Sequence, residues 1–349
     1  MNARSPAHAE STRMFAEAGE AADAIARQLE ENRHAIASLA QWLRAHPPRF
    51  IATCARGSSD HAATYGQYLF ETQLGLVTAS ASPSIASVYA VKPKLQDALF
   101  IAISQSGRSP DLLLSTDLAR AAGARVVVLV NDESAPLAQL AHHVIPLRAG
   151  RETSVAATKS YLCSLAALLQ LTASWSGNEA LSSALHALPQ ALRQAWSMDW
   201  SPLIAGLRDA RDLFVVGRGL GLAAAQEAAL KLKETCGLHA EAFSSAEVMH
   251  GPMAIVGAGF PVLAFVQDDH SGDSTLEVSR RFAERGAVVW RAQPGADDNG
   301  HLPLPPSPHP ACTPLLTINA FYRAANALAL ARGFDPDVPP YLNKVTETV

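Results

Sequence analysis

Short apolar runs alternate along this chain with longer segments in which hydrophobic residues recur every three or four positions. In the first half, the pattern predicts strands at 49–54, 98–103, 125–130 and 143–147. It predicts one helix at 61–75, a second that follows the turn at 104–111 and ends near 122, and a third at 157–175. Continuous Val, Ile and Leu runs between helices are typical of parallel strands buried on both faces of a sheet. The hydrophobic pattern therefore predicts an α/β fold.

A similar pattern restarts in the second half of the chain. Strands are predicted at 213–216, 262–266 and 287–290, and helices after the glycine turn at 217–219, at 275–285 and at 315–332. CARG at 54–57 and VGRG at 216–219 each close a strand and open a helix, which indicates an internal repeat. We expect two domains, each a doubly wound, flavodoxin-like parallel sheet flanked by helices.

The remaining segments set the predicted boundaries. Residues 10–46 have helical periodicity that stops at Pro47 and Pro48, and the proline-rich segment 301–314 is expected to be an irregular connection. The two domains are expected to join near 176–211. We predict an N-terminal helical segment at 1–48, a first domain at 49–195 and a second domain at 196–349.

Composition restricts the possible functions. The chain has 349 residues, 48% hydrophobic content and a formal net charge of −4, which gives no basic footprint for nucleic acid or an anionic membrane. No apolar run reaches about 18 residues and the N-terminus lacks the apolar core of a secretory signal, so we expect a cytoplasmic protein. The four cysteines lack CxxC spacing, which predicts neither a zinc site nor a disulfide framework.

Two strand-to-helix turns, at 55–60 and 104–111, are rich in serine and in hydrogen-bond donors, and we call them the serine turns. Such turns expose backbone N–H groups at the positive end of a helix, where phosphate binds readily. A polar turn with a serine N-cap is the alternative interpretation. GRGLG at 217–221 differs from the dinucleotide fingerprint GxGxxG and argues against a dehydrogenase. The candidate phosphate ligands are Ser59, Ser104, Gln105, Ser106 and Ser109.

The helix that starts near Leu222 carries ionisable groups in register. Glu227, Lys231 and Glu234 stand at i, i+4 and i+7 and share one helical face, opposite an alanine-rich face. This spacing fits a helix with one side over a reaction site. It equally fits an ordinary surface helix whose i,i+4 pair contributes about 0.2 to 0.5 kcal/mol.

Five ordered motifs resemble a known family over about residues 50–349. They are SQSGRSPD, SVAATKS, GRGxxxxxxxEAALKLKET, HAEAFSSAEVMHGP and the tail YLNKVTETV. Together they resemble the tandem sugar isomerase (SIS) domains of glucosamine-6-phosphate synthase, and more closely the stand-alone glucosamine-6-phosphate deaminases of that superfamily. The resemblance implies an enzyme that moves a proton between C1 and C2 of glucosamine 6-phosphate and releases ammonia, with no metal or redox cofactor.

The resemblance also implies residue roles. The serine turns would hold the phosphate, and Glu234 would be the base that moves the proton. His250 would open the sugar ring, donated by the other subunit of a homodimer, although a histidine that only ends a helix is the alternative. A proton shift needs a carboxylate base, and ring opening needs a group that titrates near neutrality, so Glu234 and His250 suit these roles chemically. The other implied residues are Val155 and Ala157 lining the sugar pocket, Lys231 and Glu227 beside the base, and the tail residue Lys344 at the sugar carbonyl.

Two departures from the family pattern stand out. Arg108 replaces an acidic residue that is common after SQSG in the synthases, although the hydroxyl of Ser109 is retained. A synthase also needs a glutaminase domain with an N-terminal cysteine, whereas this sequence starts Met1-Asn2-Ala3, so we expect no use of glutamine. The alternatives are action on galactosamine 6-phosphate or a fructosamine-type adduct, and a non-catalytic sugar-phosphate sensor.

Overall fold

The computed structural model describes residues 9–295 and 300–344, which form two compact units. The N-sheet unit comprises Asp23–Arg151 and Ser160–His186. The C-sheet unit comprises residues 9–22, Glu152–Lys159 and, apart from 296–299, Ala187–Lys344. The loop at 152–159 thus belongs with the C-terminal half of the chain. The domain boundaries predicted from the sequence, at 48/49 and 195/196, stay predictions.

The elements alternate as the hydrophobic pattern indicates. Up to residue 196 they are α1 (Arg13–Gly19), α2 (Ala21–Glu31), α3 (Arg33–Ala45), β1 (Ile51–Cys54), α4 (Ser58–Leu74), β2 (Thr78–Ser80), α5 (Pro83–Ser87), β3 (Leu99–Ser104), α6 (Pro110–Ala121), β4 (Arg125–Val130), α7 (Pro136–Gln139), β5 (His143–Pro146), α8 (Lys159–Ser176) and α9 (Glu179–Trp196). Beyond it they are α10 (Ser201–Leu207), β6 (Asp212–Gly217), α11 (Leu220–Cys236), β7 (His239–Ser244), β8 (Pro261–Phe265), α12 (His270–Glu284), β9 (Val288–Pro294), β10 (His301–Leu304) and α13 (Thr313–Ala331).

Each unit is built on one parallel sheet of five strands. The N-sheet has the order β2-β1-β3-β4-β5 and the C-sheet has the order β10-β9-β8-β6-β7. Read from β2 and from β7, both sheets place the second strand of each half first, followed by the first, third, fourth and fifth. This is the doubly wound, flavodoxin-like order, so the fold class predicted from the sequence is confirmed.

The repeat extends to the backbone angles of the turns. Gly57 precedes α4 with φ 54° and ψ −132°, and Gly219 precedes α11 with φ 58° and ψ −132°. Both helices are 17 residues long and end at a left-handed glycine, Gly75 and Gly237. A positive φ favours glycine because it lacks the Cβ that would clash. The two glycine turns therefore have equivalent structures.

The prediction that 301–314 is irregular is wrong at its start. Residues 301–304 form β10, which pairs in parallel with β9, His301 opposite Arg291. The proline at 303 is tolerated because β10 lies at the edge of the sheet and one side of its backbone needs no ladder partner. The helical segment predicted at 10–46 is three helices, and the predicted joining region at 176–211 contains α9 and α10.

Candidate functional site

Helix α11 buries ionisable side chains. Glu227 and Lys231 are both 0% exposed, whereas Glu234, at the end of the series, keeps 22% of its side chain exposed. The i,i+4 pair predicted from spacing does form, with Lys231 Nζ 3.5 Å from Glu227 Oε1. It forms inside the protein, so the interpretation of α11 as a surface helix is wrong.

Lys231 is the cation that holds this group together. Its Nζ also donates a short hydrogen bond to Glu234 Oε2. Burial opposes the charge on Lys231, but the negative charges of Glu227 and Glu234, with a smaller contribution from Glu152, outweigh that effect and raise the pKa of Lys231 above its ordinary value. Lys231 is therefore a fixed positive charge at neutral pH, and Glu234 is the carboxylate of the cluster that reaches solvent.

Two members of this cluster were not predicted from the sequence. The hydroxyl of Tyr322 on α13 donates to Glu227 Oε1 at 2.9 Å. Glu152, whose side chain is 0% exposed, lies 3.4 Å from Lys344 Nζ through its Oε2. Its Oε1 accepts hydrogen bonds from the backbone N–H and hydroxyl of Thr158. The available signals were weak: an acidic residue two positions before the SVAATKS motif, and a phenol within an apolar helix.

The loop at 152–158 has a defined position within the C-sheet unit. Glu17 on α1 accepts hydrogen bonds from the hydroxyls of Ser154 at 2.6 Å and Thr153 at 2.9 Å. Burial opposes its charge, but hydrogen bonds from the side chains and backbone of Ser154 and Thr153 hold the pKa of Glu17 below its ordinary value. The N–H of Val155 donates to the carbonyl of Asp337. Val155 and Ala157, the predicted pocket residues, are consequently half-buried on a braced loop.

His250 has a different environment. It ends a short 3₁₀ turn, Glu247–His250, and is exposed. Within the part of the chain that the structure describes, no hydrogen bond or ion pair joins His250 to Glu234. Met249 and Ile255, its apolar neighbours along the chain, are 36% and 65% exposed.

The predicted phosphate ligands lie in the N-sheet unit. Since β1 and β3 are parallel neighbours, with Cys54 opposite Ala102, the turns that follow them share one edge of the sheet. Gly107 has φ 63°, and a Cβ there would lie 2.7 Å from Ala135 Cβ, so the turn requires glycine. The hydroxyl of Ser104 accepts from the Gly107 N–H at 3.0 Å and keeps its own proton to donate.

The serine N-cap alternative fails at Ser109. Ser109 occupies the N-cap position of α6, yet its side chain makes no capping hydrogen bond. Its hydroxyl is therefore not used to cap α6, which starts with Pro110 and has the Leu112 N–H bonded to Asp111 Oδ1. Ser106, Gln105 and Ser59 are half-buried around the same two turns.

An ion pair that was not predicted from the sequence joins these turns. Arg56 from the β1–α4 turn donates to the carboxylate of Asp111, in the first turn of α6, at 2.9 and 2.7 Å. The Asp111 side chain is fully buried and the Arg56 side chain is half exposed. A cation therefore lies at the serine turns. Arg108, the departure from the family pattern, pairs with Asp132 at 2.9 Å.

The four cysteines lie in the interior. Burial raises the pKa of Cys54 and Cys312 to about 12 and that of Cys236 to about 11, and Cys163 is also buried. A thiol with a high pKa is a poor nucleophile at neutral pH, because little of it is present as the thiolate. Among the described residues, no three His, Cys, Asp or Glu side chains are grouped to hold a metal ion. Within residues 9–295 and 300–344, no helix has the length and apolar character needed to cross a membrane.

Comparison with known proteins identifies a matching domain family and several related proteins. The SIS domain model matches residues 47–174 and 206–289. A glutamine–fructose-6-phosphate aminotransferase (isomerizing) of Symbiobacterium thermophilum is 35% identical over 315 residues, which cover 85% of this chain and 51% of the relative. The chain thus spans about half the length of the curated relatives it matches.

Two solved structures extend the comparison. A protein of Silicibacter pomeroyi DSS-3 assigned as a phosphosugar isomerase is 44% identical with a TM-score of 0.88, and the match covers 93% of this chain and 100% of that one. A glucosamine-6-phosphate deaminase of Thermotoga maritima is 20% identical with a TM-score of 0.77, covering 97% and 100%. The second match shows a common fold alone.

Proposed function

This chain belongs to the SIS domain family, related to glutamine–fructose-6-phosphate aminotransferases and phosphosugar isomerases, and we propose that it deaminates glucosamine 6-phosphate to fructose 6-phosphate and ammonia. The observation that carries the proposal is the α11 cluster, in which a partly exposed glutamate is paired with a buried, charged lysine. This arrangement suits a fixed carboxylate base. We also propose that the protein acts in the cytoplasm.

The proposed reaction balances without an oxidant or reductant. Glu234 takes the proton from C2 of the open-chain amino aldose and returns it to C1, while O1 gains a proton and the nitrogen on C2 loses one, which leaves an imine at C2 and a hydroxyl at C1. Water then adds to C2, the C–N bond breaks and ammonia leaves, so that a ketone remains. The sugar carbon skeleton and its phosphate are unchanged.

The neighbours of Glu234 hold it in position. Lys231 directs the Glu234 carboxylate through one hydrogen bond, while Glu227, itself held by the Tyr322 hydroxyl, fixes Lys231 from the buried side. Glu152 holds Lys344 near the loop at 152–158, which suits the proposed role of Lys344 at the sugar carbonyl. Glu152 is a positioning residue in this scheme.

We expect the serine turn to bind the phosphate of the substrate. Ser106→Ala and Ser109→Ala each remove a hydroxyl donor, and we expect KM for glucosamine 6-phosphate to rise by about 5- to 150-fold, equivalent to roughly 1 to 3 kcal/mol. The change in kcat should be small, because neither hydroxyl touches C1 or C2. Ser183→Ala, an exposed serine on α9, is the matched control. An unchanged KM in both turn variants would place the phosphate elsewhere.

We propose a homodimer in which His250 completes the site of the other subunit. The support is that His250 is exposed beside exposed apolar residues, as expected at a subunit interface. Glu234→Gln and His250→Ala proteins should each be inactive, and mixing them should restore part of the activity as subunits exchange. A monomer that is fully active in analytical ultracentrifugation fractions would contradict this arrangement.

The direct test of the proposed function is a substrate panel. Purified protein should release ammonia from glucosamine 6-phosphate in equal amount to the fructose 6-phosphate formed. The panel should include galactosamine 6-phosphate and phosphorylated fructosamine adducts, which use the same chemistry on another sugar or amine. Binding of these compounds without turnover of any of them would instead support a sensor.

An aldose–ketose isomerase is the second candidate. It is favoured by the 44% identical Silicibacter pomeroyi protein, which is assigned as a phosphosugar isomerase. The same carboxylate would move the same proton on a sugar that carries oxygen at C2, and no ammonia would form. Interconversion of glucose 6-phosphate and fructose 6-phosphate faster than ammonia release would favour this candidate.

A further inference from the structure

A cavity of about 530 Å³ lies in the N-sheet unit at the edge of the sheet opposite the serine turns. Leu99 pairs with Arg125 at the amino ends of β3 and β4, and both residues line the cavity. Ser104 lies at the carboxyl end of β3, so the two sites are separated by the length of that strand. The volume is in the range of small-molecule pockets. The proposed deamination uses none of the cavity's residues.

The cavity concentrates positive charge in a chain of net negative charge. Arg49, Arg120 and Arg125 line it, together with His46 and His142, against a single carboxylate, Asp97. No carboxylate among the described residues forms an ion pair with any of the three arginines. Like charges gathered around one cavity repel each other, and an anionic ligand relieves that repulsion.

Several other arginines of the same unit are paired with carboxylates, whereas Arg27 and Arg44 donate to backbone carbonyls. Arg56 pairs with Asp111, Arg108 with Asp132, and Arg148 with Glu31 and Glu133. Arg120 and Arg125 in the cavity contact neutral groups. The Arg125 guanidinium lies 4.1 Å from the Trp42 ring centroid, and Arg120 donates to the carbonyl of Leu140 at 3.3 Å. Their remaining N–H donors are available for an anion.

A histidine and an aromatic wall complete the cavity. The Nδ1 of His142 accepts a hydrogen bond from the backbone N–H of Val126 at 2.9 Å, so the ring proton of the neutral form lies on Nε2 and can be donated. Trp42, stacked on His46 at 4.7 Å, and the neighbouring Pro47 and Pro48 supply an apolar wall. Polar donors beside an apolar wall suit an anionic group attached to an organic body.

We propose that this cavity binds a small phosphorylated molecule through a phosphate or diphosphate group with at least two negative charges. Three arginines against one aspartate leave two positive charges uncompensated, which matches a dianion. Arginine suits this task because its planar guanidinium donates two parallel hydrogen bonds to phosphate oxygens. This ligand site is additional to the proposed substrate phosphate site.

Inorganic pyrophosphate is the probe that tests the cavity. Titrated at low ionic strength, it should change the fluorescence of the wild-type protein, and Trp42→Phe should remove that change while calorimetry still detects binding. Arg49→Gln combined with Arg120→Gln should weaken binding at least about tenfold, since each arginine contributes a charge-assisted contact. Arg208→Gln, an exposed arginine paired with Asp209, is the matched control and should bind as wild type.

A second background separates this site from the substrate site. In protein carrying both Ser106→Ala and Ser109→Ala, the fluorescence change that depends on Trp42 should persist with an unchanged dissociation constant. Circular dichroism melting checks that the double arginine variant is folded, which is expected because both side chains are exposed. Pyrophosphate binding that is absent in the wild type, unaffected by the arginine substitutions, or abolished by the serine substitutions would overturn the proposal.

Discussion

Glu234→Gln lowers kcat for ammonia release by about 10²- to 10⁴-fold, the range expected when a positioned general base is removed. The amide keeps the size and shape of the side chain but cannot accept the C2 proton. Lys231 remains buried beside it, and the serine turn that should bind phosphate is unchanged. We therefore expect the dissociation constant for glucosamine 6-phosphate to stay within about tenfold of wild type.

The readout can distinguish lost chemistry from lost binding. Steady-state assays give kcat, and exchange of the C2 proton with deuterated water, followed by NMR, reports the proton transfer alone. Both should fall together in Glu234→Gln. Glu241→Gln, an exposed glutamate on β7 of the same unit, should leave both unchanged. Wild-type exchange in the Glu234 variant would remove this residue from the mechanism.

Lys231→Met destabilises the protein by about 3 to 5 kcal/mol, because methionine fills similar space but leaves a buried carboxylate without its counter-ion. Glu227 is fully buried and would lose the positive charge 3.5 Å from its Oε1, while the hydrogen bond from the Tyr322 hydroxyl stays. Urea denaturation monitored by circular dichroism measures the loss. Lys233→Met is the matched control, since Lys233 lies on the same helix and is exposed. It should change the free energy of unfolding by less than about 0.5 kcal/mol.

The pH dependence of this stabilisation follows from the direction of the pKa shift. The pKa of Lys231 is raised in the folded protein, so its contribution is fully present below the unfolded value of about 10.4 and is lost as the pH rises through the higher folded value. The part of the difference in free energy of unfolding between wild type and Lys231→Met that comes from the Lys231 charge should therefore be constant from pH 6 to 9. An equal loss of stability in Lys231→Met and Lys233→Met would contradict the buried-cation interpretation.

Sequence patterns predicted the parts of the fold that repeat locally. Buried central strands such as β3 and β4 are continuous apolar runs, and Gly57 and Gly219 mark equivalent turns, so both were found. Edge strands such as β10 are short and are specified by pairing with a neighbour, which no local pattern reveals. The edge strands β2, β7 and β10 were accordingly assigned only from the structure, whereas the edge strand β5 was predicted from its apolar residues.

The candidate site shows the same division. The spacing of Glu227, Lys231 and Glu234 predicts a shared face because one helix carries all three. Tyr322 lies 95 residues from Glu227 and Glu152 lies 79 residues from Lys231, and no periodicity links such positions. The burial of Glu227 and Lys231 could not be predicted either, because an i,i+4 pair of Glu and Lys has the same sequence on a surface helix as on a buried one. The local sequence thus predicts which residues of one helix share a face, but not which residues from distant segments contact them.

The hydrogen bonds around α1 determine the order in which the molecule can become complete. Asp337 accepts from the backbone N–H groups of Arg13 and Met14 at 2.8 and 2.7 Å, across 324 and 323 residues of chain. At about 5 to 20 residues per second, the ribosome needs roughly 15 to 65 s to synthesise that span. Every strand of the N-sheet exists once Pro146 has been added, and domains of this size fold within seconds or less. The unit that carries Glu234 is therefore begun first and finished last: Thr12 can cap α1 locally, but the N–H groups of Arg13 and Met14 lack their Asp337 partner for most of the synthesis.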